Sequence, residues 1–333
     1  MRWGMCGAST IGAEHMIKAF RVQAAGQVSW VVSGSASHAR AYAKQHQIAQ
    51  WGVSLDDMLA DPTIKAVYIS STNEKHHAQA MAAIAAGKHV LCEKPLALSV
   101  DLAADMVAAA TDRGVIFATN HHLRCSGSHR AIRALIAEGR IGRVLSMRIL
   151  HAVYLPRHLQ GWRINDAAAG GGVIPDITVH DADTARFLLS ESPVSVVATA
   201  ASSGMGAGVE DSVMSVWTMP SGAMVMAHES FTHAFAGSGL EVHGTTGSIF
   251  AQGVMTQAPV GEIAIVTAAG RAAAPYGDHD LYTESVRQFE AAVAGQGTPA
   301  ATGHDGVASL AVALAVRKSA ITGRRVFLTD EAA

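Results

Sequence analysis

WGMCGASTIG, residues 3–12, is the stretch whose reading decides the fold. Trp3 to Cys6 is a short apolar run suited to a buried strand, and the small residues of GASTIG follow it directly. Beyond the turn, Met16, Ile17 and Phe20 fall on one face of a helix. A strand, a glycine-bearing turn and a helix start in this order form the context of a dinucleotide fingerprint, because backbone N–H groups at a helix N-terminus bind pyrophosphate. The middle glycine of that fingerprint is Ser9 here, and Ser9 or Thr10 can cap the helix.

Working outward, VSWVVS (28–33), a short stretch around Trp51–Val53, AVYIS (66–70), HVLC (89–92) and VIFATN (115–120) read as further strands separated by helices. Six strands with helices between them predict two mononucleotide-binding halves of a doubly wound parallel sheet, a Rossmann domain over 1–120. The texture then changes. A helix at 127–139, a long strand from Arg143 to Leu155, a helix from Asp176 to Leu189 and the alternating runs VSVVATAA, SVMSVWTM, AMVMAHESF and LEVHG follow. Helical patterns at 280–294 and 303–320 and a strand at 324–328 complete an α+β domain over 121–333 with an open, mostly antiparallel sheet. No internal repeat is present.

The chain has 333 residues, long enough for two cores, with 49% hydrophobic and 16% charged residues. Twenty-five Lys and Arg against 27 Asp and Glu leave a formal charge of −2, too balanced to attract nucleic acid or an anionic membrane surface. A small partner is therefore expected. Three cysteines make no disulfide framework, MRWGMCGAST lacks a signal-peptide core, and no apolar run reaches the roughly 18 residues of a membrane span, so a cytoplasmic protein is expected. Strand patterning does not separate a pairing face from a solvated one, so a monomer and a dimer stay open.

At the end of the second strand, where an acid would meet the ribose of NAD and repel the 2′-phosphate of NADP, stands Ser33. His38 and Arg40 follow, and the set predicts NADPH as cofactor. Glu93-Lys94-Pro95 lies just past HVLC, at the carboxyl end of a strand, where a lysine can polarise a carbonyl or hold a ribose. Asp176 and His180, four apart on a helix, project from one face and suit a proton donor with an orienting carboxylate. Asp183 extends that face, but no second histidine has ligand spacing, so no metal is expected. The histidine pairs at 76–77 and 121–122 follow strands; nucleophile elbow, Walker loop and HExxH are absent.

GASTIG, STNEKHH, HVLCEKPLAL and VIPDITVHDADT, in this order, resemble the Gfo/Idh/MocA oxidoreductases, and NHHLR, HAVYLP, HLQGWR and VMTQAPVG are similar to sugar-ketone reductases of that family. The specific part is EKP with a downstream DxxxH helix. The resemblance implies NADPH-dependent reduction of a sugar ketone. It places Gly7, Ala8, Ser9, Thr10, Ile11 and Gly12 at the pyrophosphate, and Ser33 and Gly34 at the adenosine ribose. Ser71, Thr72, Asn73 and His76 would run along the cofactor, with Glu93, Lys94, Asn120, Trp162, Arg163 and Tyr282 near the nicotinamide. Lys94, Asp176 and His180 would be catalytic, His180 as proton donor, and the Lys94–Pro95 peptide would be cis. Similar reductases carry Arg facing the 2′-phosphate; this chain has His38, so its cofactor preference is expected to be softer or pH-sensitive. Two other readings are a nucleotide-binding sensor, which has no need of a proton donor, and a polyol dehydrogenase using NAD, which Ser33 disfavours.

Overall fold

Strands β1 (Arg2–Cys6), β2 (Gln27–Val32), β3 (Gln50–Gly52), β4 (Ala66–Ile69), β5 (His89–Cys92) and β6 (Phe117–Thr119) pair in parallel in the order β3–β2–β1–β4–β5–β6. This is the doubly wound order of a Rossmann sheet, with its switch point between β1 and β4. The computed structural model describes residues 1–328. Helices α1 (Ile17–Arg21), α2 (Ala36–His46), α3 (Leu55–Ala60), α4 (His76–Ala85) and α5 (Val100–Arg113) connect the strands. β4 is buried at all four positions, as a strand covered on both faces must be. β3 is the short, largely exposed edge.

The chain divides into two compact units, Met1–His122 with Tyr282–Gly306, and Leu123–Leu281 with Val307 onward. The sequence places all of 121–333 in one domain; in the structure residues 282–306 belong with the first unit. The physical reason lies in Trp3, which is fully buried, stacks on Phe20 with ring centroids 4.3 Å apart and meets Phe289 at 5.1 Å. Its indole N–H donates to Glu290 at 3.0 Å. Thr119 adds a second tie, donating its N–H to Ala301 O at 3.2 Å and its hydroxyl to Thr302 O at 3.1 Å.

The second unit carries a nine-stranded sheet. β7 (Val144–Ala152), β8 (Ser195–Ala201), β9 (Ser212–Thr218), β10 (Met224–Ser230), β11 (Gly239–Gly244), β12 (Gly247–Gln252), β13 (Glu262–Thr267), β14 (Gly270–Ala273) and β15 (Val326–Phe327) run in the order β14–β13–β12–β11–β7–β10–β9–β8–β15. All pairs are antiparallel except β7 with β10. One face packs on α6 (Gly127–Ala137) and α8 (Val179–Leu189), and burial alternates along β9 and β10 as a one-sided sheet requires. α7 (Arg157–Gln160), α9 (Leu281–Val293) and α10 (Gly303–Thr322) complete the helices. No helix among the described residues is long and apolar enough to cross a membrane.

The Trp3 stack carries a stability prediction. Trp3→Ala is expected to lower the unfolding free energy of the first unit by about 3–5 kcal/mol, read by urea denaturation of the full chain; an unchanged midpoint would show that the stack adds little.

Candidate active site

In the first unit the strand ends build a crevice at the switch point. Gly7 ends β1 at φ +110°, and a Cβ there would lie 2.8 Å from the backbone of Ser70, so only glycine lets the loops after β1 and β4 meet so closely. Ser9, standing at the fingerprint's middle glycine, turns its hydroxyl inward. It bonds Ser70 Oγ at 2.7 Å and accepts the N–H of Gly12 at 3.1 Å, so it is Ser9 that caps the helix start. The helix opens at Thr10 and passes into a π turn, Gly12–Met16. Tyr42, on α2, donates its hydroxyl to Ser9 O at 3.0 Å and fixes the loop from outside.

Past β2, Ser33 Oγ lies 3.2 Å from His38 Nδ1 in the first turn of α2, while a Cβ on Gly34 would meet nothing within 4 Å. The small loop, the helix start and this open corner fit a dinucleotide phosphate and ribose. Past β4, Ser71 donates to Gln79 at 2.6 Å. His76 is buried, with Nδ1 2.8 Å from Pro95 O and Nε2 3.1 Å from Ser71 O. Burial holds it below the ordinary histidine pKa, against the pull of those carbonyls. The ring ties the loop after β4 to the Lys94–Pro95 segment, whose peptide is cis.

Glu93 and Asn120 come together. The Glu93 carboxyl accepts from Tyr68 Oη at 2.7 Å and from Asn120 Nδ2 at 2.6 Å, and Asn120 Oδ1 accepts from Ser285 at 3.1 Å. Burial raises the Glu93 pKa, with both hydrogen bonds and the Lys94 charge working the other way. Tyr282 is buried and sandwiched between His15 and His122, at centroid distances of 4.5 and 4.9 Å and 25° to each. Tyr68, Ser285, His15 and His122 are partners that sequence reasoning missed. His122 was visible within an HH pair, but no spacing links residues 15, 122 and 282.

The second unit holds the other candidates. The predicted helix from Asp176 opens as a π turn, Ile174–Thr178, and continues as α8. Residues four apart over-rotate by about 40° in an α-helix; a π turn holds more residues, which brings Asp176 and His180 nearer to one line. Asp176 faces Arg163, with Oδ2 3.5 Å from Nε, and the Arg163 guanidinium lies 4.8 Å from the Trp162 ring centre. The glycine cluster seats this pair: a Cβ on Gly171 would come within 2.6 Å of Trp162 O, and Gly172, at φ +112°, donates its N–H to Arg163 O at 2.8 Å. Glu210 accepts the N–H of Ile174 at 3.3 Å and pairs with Arg317 at 3.1 Å, anchoring the π turn. Asp183 does not extend the Asp176 face toward a ligand. Its carboxylate is buried and takes both Nε and Nη2 of Arg124, at 2.8 and 2.7 Å. Lys94 thus belongs to one unit, and Asp176, His180, Trp162 and Arg163 to the other.

Residues 1–121 match the model of an oxidoreductase family with an NAD-binding Rossmann fold, and residues 129–250 match that of the GFO/IDH/MocA C-terminal domain. The chain is 51% identical to a 1,5-anhydro-D-fructose reductase of Ensifer adhaerens, with 97% of each chain covered. It is 30% identical to an inositol 2-dehydrogenase of Rhizobium meliloti, with 98% of each covered. In fold it is similar to an aldose–aldose oxidoreductase of Caulobacter crescentus, with a TM-score of 0.89, 23% identity and 98% and 99% of the two chains covered.

The Glu93 knot yields a prediction. Glu93→Leu leaves the Tyr68 hydroxyl and the Asn120 amide buried without their acceptor, and is expected to cost about 2–3 kcal/mol in urea unfolding. A loss below about 0.5 kcal/mol would show that water replaces the carboxylate.

Proposed function

The chain belongs to the Gfo/Idh/MocA oxidoreductases, and on that premise we propose that it reduces the C2 ketone of 1,5-anhydro-D-fructose to 1,5-anhydro-D-mannitol with NADPH. What carries the reading is the full-length likeness to the Ensifer adhaerens reductase, which takes in both the crevice loops and the π turn. NADPH, when bound, supplies the hydride that reaches the ketone carbon. GASTIG holds its pyrophosphate, Ser33 and Gly34 its adenosine ribose, and the Ser71–His76 segment its length. Glu93, Asn120 and Tyr282 would hold the nicotinamide end, and the family resemblance gives Trp162 and Arg163 a role toward the same part of the cofactor.

The protein's own chemistry is proton delivery and charge stabilisation. A carbonyl oxygen whose carbon gains hydride becomes an alkoxide, and His180 protonates it, since imidazole is the side chain that titrates nearest neutrality. Asp176, beside it on the π turn and held by Arg163, orients that imidazole. The Lys94 ammonium holds the carbonyl and the ribose and stabilises the developing negative charge.

The preference for NADPH rests on Ser33 and His38. Ser33 puts a hydroxyl where an acid would repel a phosphate, and its bond to Nδ1 leaves the Nε2 edge of His38 for an anion. Arg40 lies two residues on, about 200° around the helix, while Tyr42, one turn beyond His38, reaches the Ser9 loop. Of the two candidate cations, His38 is therefore the one on the crevice side. β2 and β3, which pack against α2, carry no titratable side chain.

His180→Ala is expected to lower turnover by about 10²–10⁴-fold while NADPH binding, read by fluorescence titration, changes by less than about twofold. Wild-type turnover would remove His180 from the mechanism. His38→Ala is expected to reduce the ratio of kcat/KM for NADPH over NADH by about tenfold, with Arg40→Ala near the parent value. A ratio unmoved in the double variant would reject both contacts. The reaction as a whole is tested by following NADPH and NADH oxidation against 1,5-anhydro-D-fructose, other ketoses and inososes. No oxidation with any sugar ketone would overturn the reading.

A further inference from the structure

The loop between β8 and β9, residues 202–211, is built around one buried acid. Asp211 is 0% exposed, and its carboxylate accepts four hydrogen bonds. Oδ1 takes the N–H and the hydroxyl of Ser203, both at 2.7 Å, and Oδ2 takes the N–H groups of Met205 and Gly206, both at 2.8 Å. All four donors are uncharged. Burial pushes the Asp211 pKa up, and these bonds together pull it below the ordinary aspartate value, so the loop that the carboxylate shapes also keeps it ionised. The turn is tight: Ser202 donates its hydroxyl to Val209 O at 2.6 Å, and a Cβ on Gly206 would lie 2.3 Å from the same oxygen. Through its own carbonyl, which accepts from Phe231 N–H at 2.8 Å and from the Ser230 hydroxyl at 3.2 Å, Asp211 fastens the loop to the end of β10.

The loop so shaped meets the segment that carries Arg163 and leads to Asp176. Ala207 donates its N–H to Ile164 O at 2.7 Å, and Glu210 O accepts the N–H of Val173 at 2.9 Å. The Glu210 carboxylate takes the N–H of Ile174, the first residue of the π turn, at 3.3 Å, where an acid satisfies an otherwise orphaned donor and suits the helix dipole. Arg317 of α10 holds the same Oε1 at 3.1 Å. Between the two grips lies NDAAAGGG, residues 165–172, whose alanines and glycines have little side chain to pack and much backbone freedom to lose. Its order is imposed at its ends. Arg163 on one side of it and Asp176 on the other then meet at 3.5 Å.

We propose that the 202–211 loop is a brace for the proton-delivery side of the site, with Glu210 and Asp211 as its positioning residues. Asp211 sets the shape of the loop. Glu210, at the end of the loop, sets the start of the π turn and with it the approach of Asp176 to Arg163. Both act through the backbone of residues 164–174, because apolar packing on an alanine and glycine run cannot fix it and directional bonds can. The proposal deepens the functional reading above and rests on it for the roles of Asp176 and His180.

Glu210→Gln and Glu210→Ala separate a brace from a bystander, with turnover and amide hydrogen exchange of the full chain measured where each variant is fully folded. The Gln amide oxygen can still accept from Ile174 and Arg317, so E210Q is expected to keep kcat within about twofold. E210A can accept from neither, and its kcat should be lower by about tenfold, with exchange over residues 164–178 about tenfold faster and exchange in the strands of the first unit unchanged. Asp211→Asn puts an amide N–H₂ where two N–H groups need an acceptor. D211N should therefore speed exchange over 164–178 as well as in its own loop, although Asp211 bonds nothing in that segment. Where E210A fails to fold, R317M takes its place, with kcat lower by about threefold; where D211N fails, S203A removes one bond from the same carboxylate and is read in the same way. Three outcomes would overturn the proposal: kcat and exchange at the parent values in E210A or its substitute; E210Q as impaired as E210A; or faster exchange in D211N or its substitute confined to residues 202–211. If the wild type reduces no sugar ketone, the functional reading fails, while exchange still decides the brace.

Discussion

The carboxyl of Glu93 holds the first unit's working end together. Three strands deliver their carboxyl ends to one place, and Glu93 at the end of β5 accepts from Tyr68 of β4 and from Asn120, just past β6. Asn120 passes the connection to Ser285 of α9, so the returning segment is fastened to the same point. Remove the acceptor and two buried donors lose their reason to converge. Lys94 follows Glu93 directly, which makes its position a consequence of this knot. The carboxyl serves structure, and its neighbour is the residue proposed for the chemistry.

That arrangement shows how much was legible beforehand. GASTIG after an apolar run, and strands of four to six residues between helices, specify a Rossmann sheet because the periodicity is local. Ser33 and His38 could be picked from sequence as neighbours because their positions are counted from a strand end, and the two side chains do meet. The return of 282–306 was not, since what brings it back is Trp3, Phe20 and Phe289 packing together across nearly the whole chain. β12, β13 and β14 were missed for another reason: GSIFAQ, EIAIVT and GRAA are short, and β14 is exposed along its length, so no apolar alternation marks it. The π turn is equally silent, because a change of one residue per turn leaves no compositional trace.

α8 was read correctly as a helix and incompletely as a face. Its i, i+4 pair suggested one functional side, carrying Asp176, His180 and Asp183. The sheet side instead carries Asp181, and Asp183 is buried as well. Nearly every position of this helix is buried, so polar residues there mark internal partners, where on an ordinary surface helix they would mark solvent. Sequence reasoning that assigns polarity to water misses such networks, and it extended the Asp176 face to Asp183, which answers to Arg124.

The cost of that polarity argues for a purpose. Buried charge pairs are often no more stabilising than apolar residues of the same volume, so Arg124–Asp183 is a poor way to gain stability alone. Directional bonds do what apolar contact cannot: a hydrocarbon core tolerates a helix slipping by part of a turn, whereas the Asp183 carboxylate, which must meet both Nε and Nη2 of Arg124, does not. The same logic holds in the first unit, where Glu93 Oε1 accepts from Tyr68 of β4 and from Asn120, just past β6. In each unit a buried acid fixes the backbone near a proposed reacting residue, Glu93 next to Lys94 in one and Asp183 on the helix of His180 in the other. The near-neutral surface charge fits the same picture, since the polarity that matters is held inside and aimed.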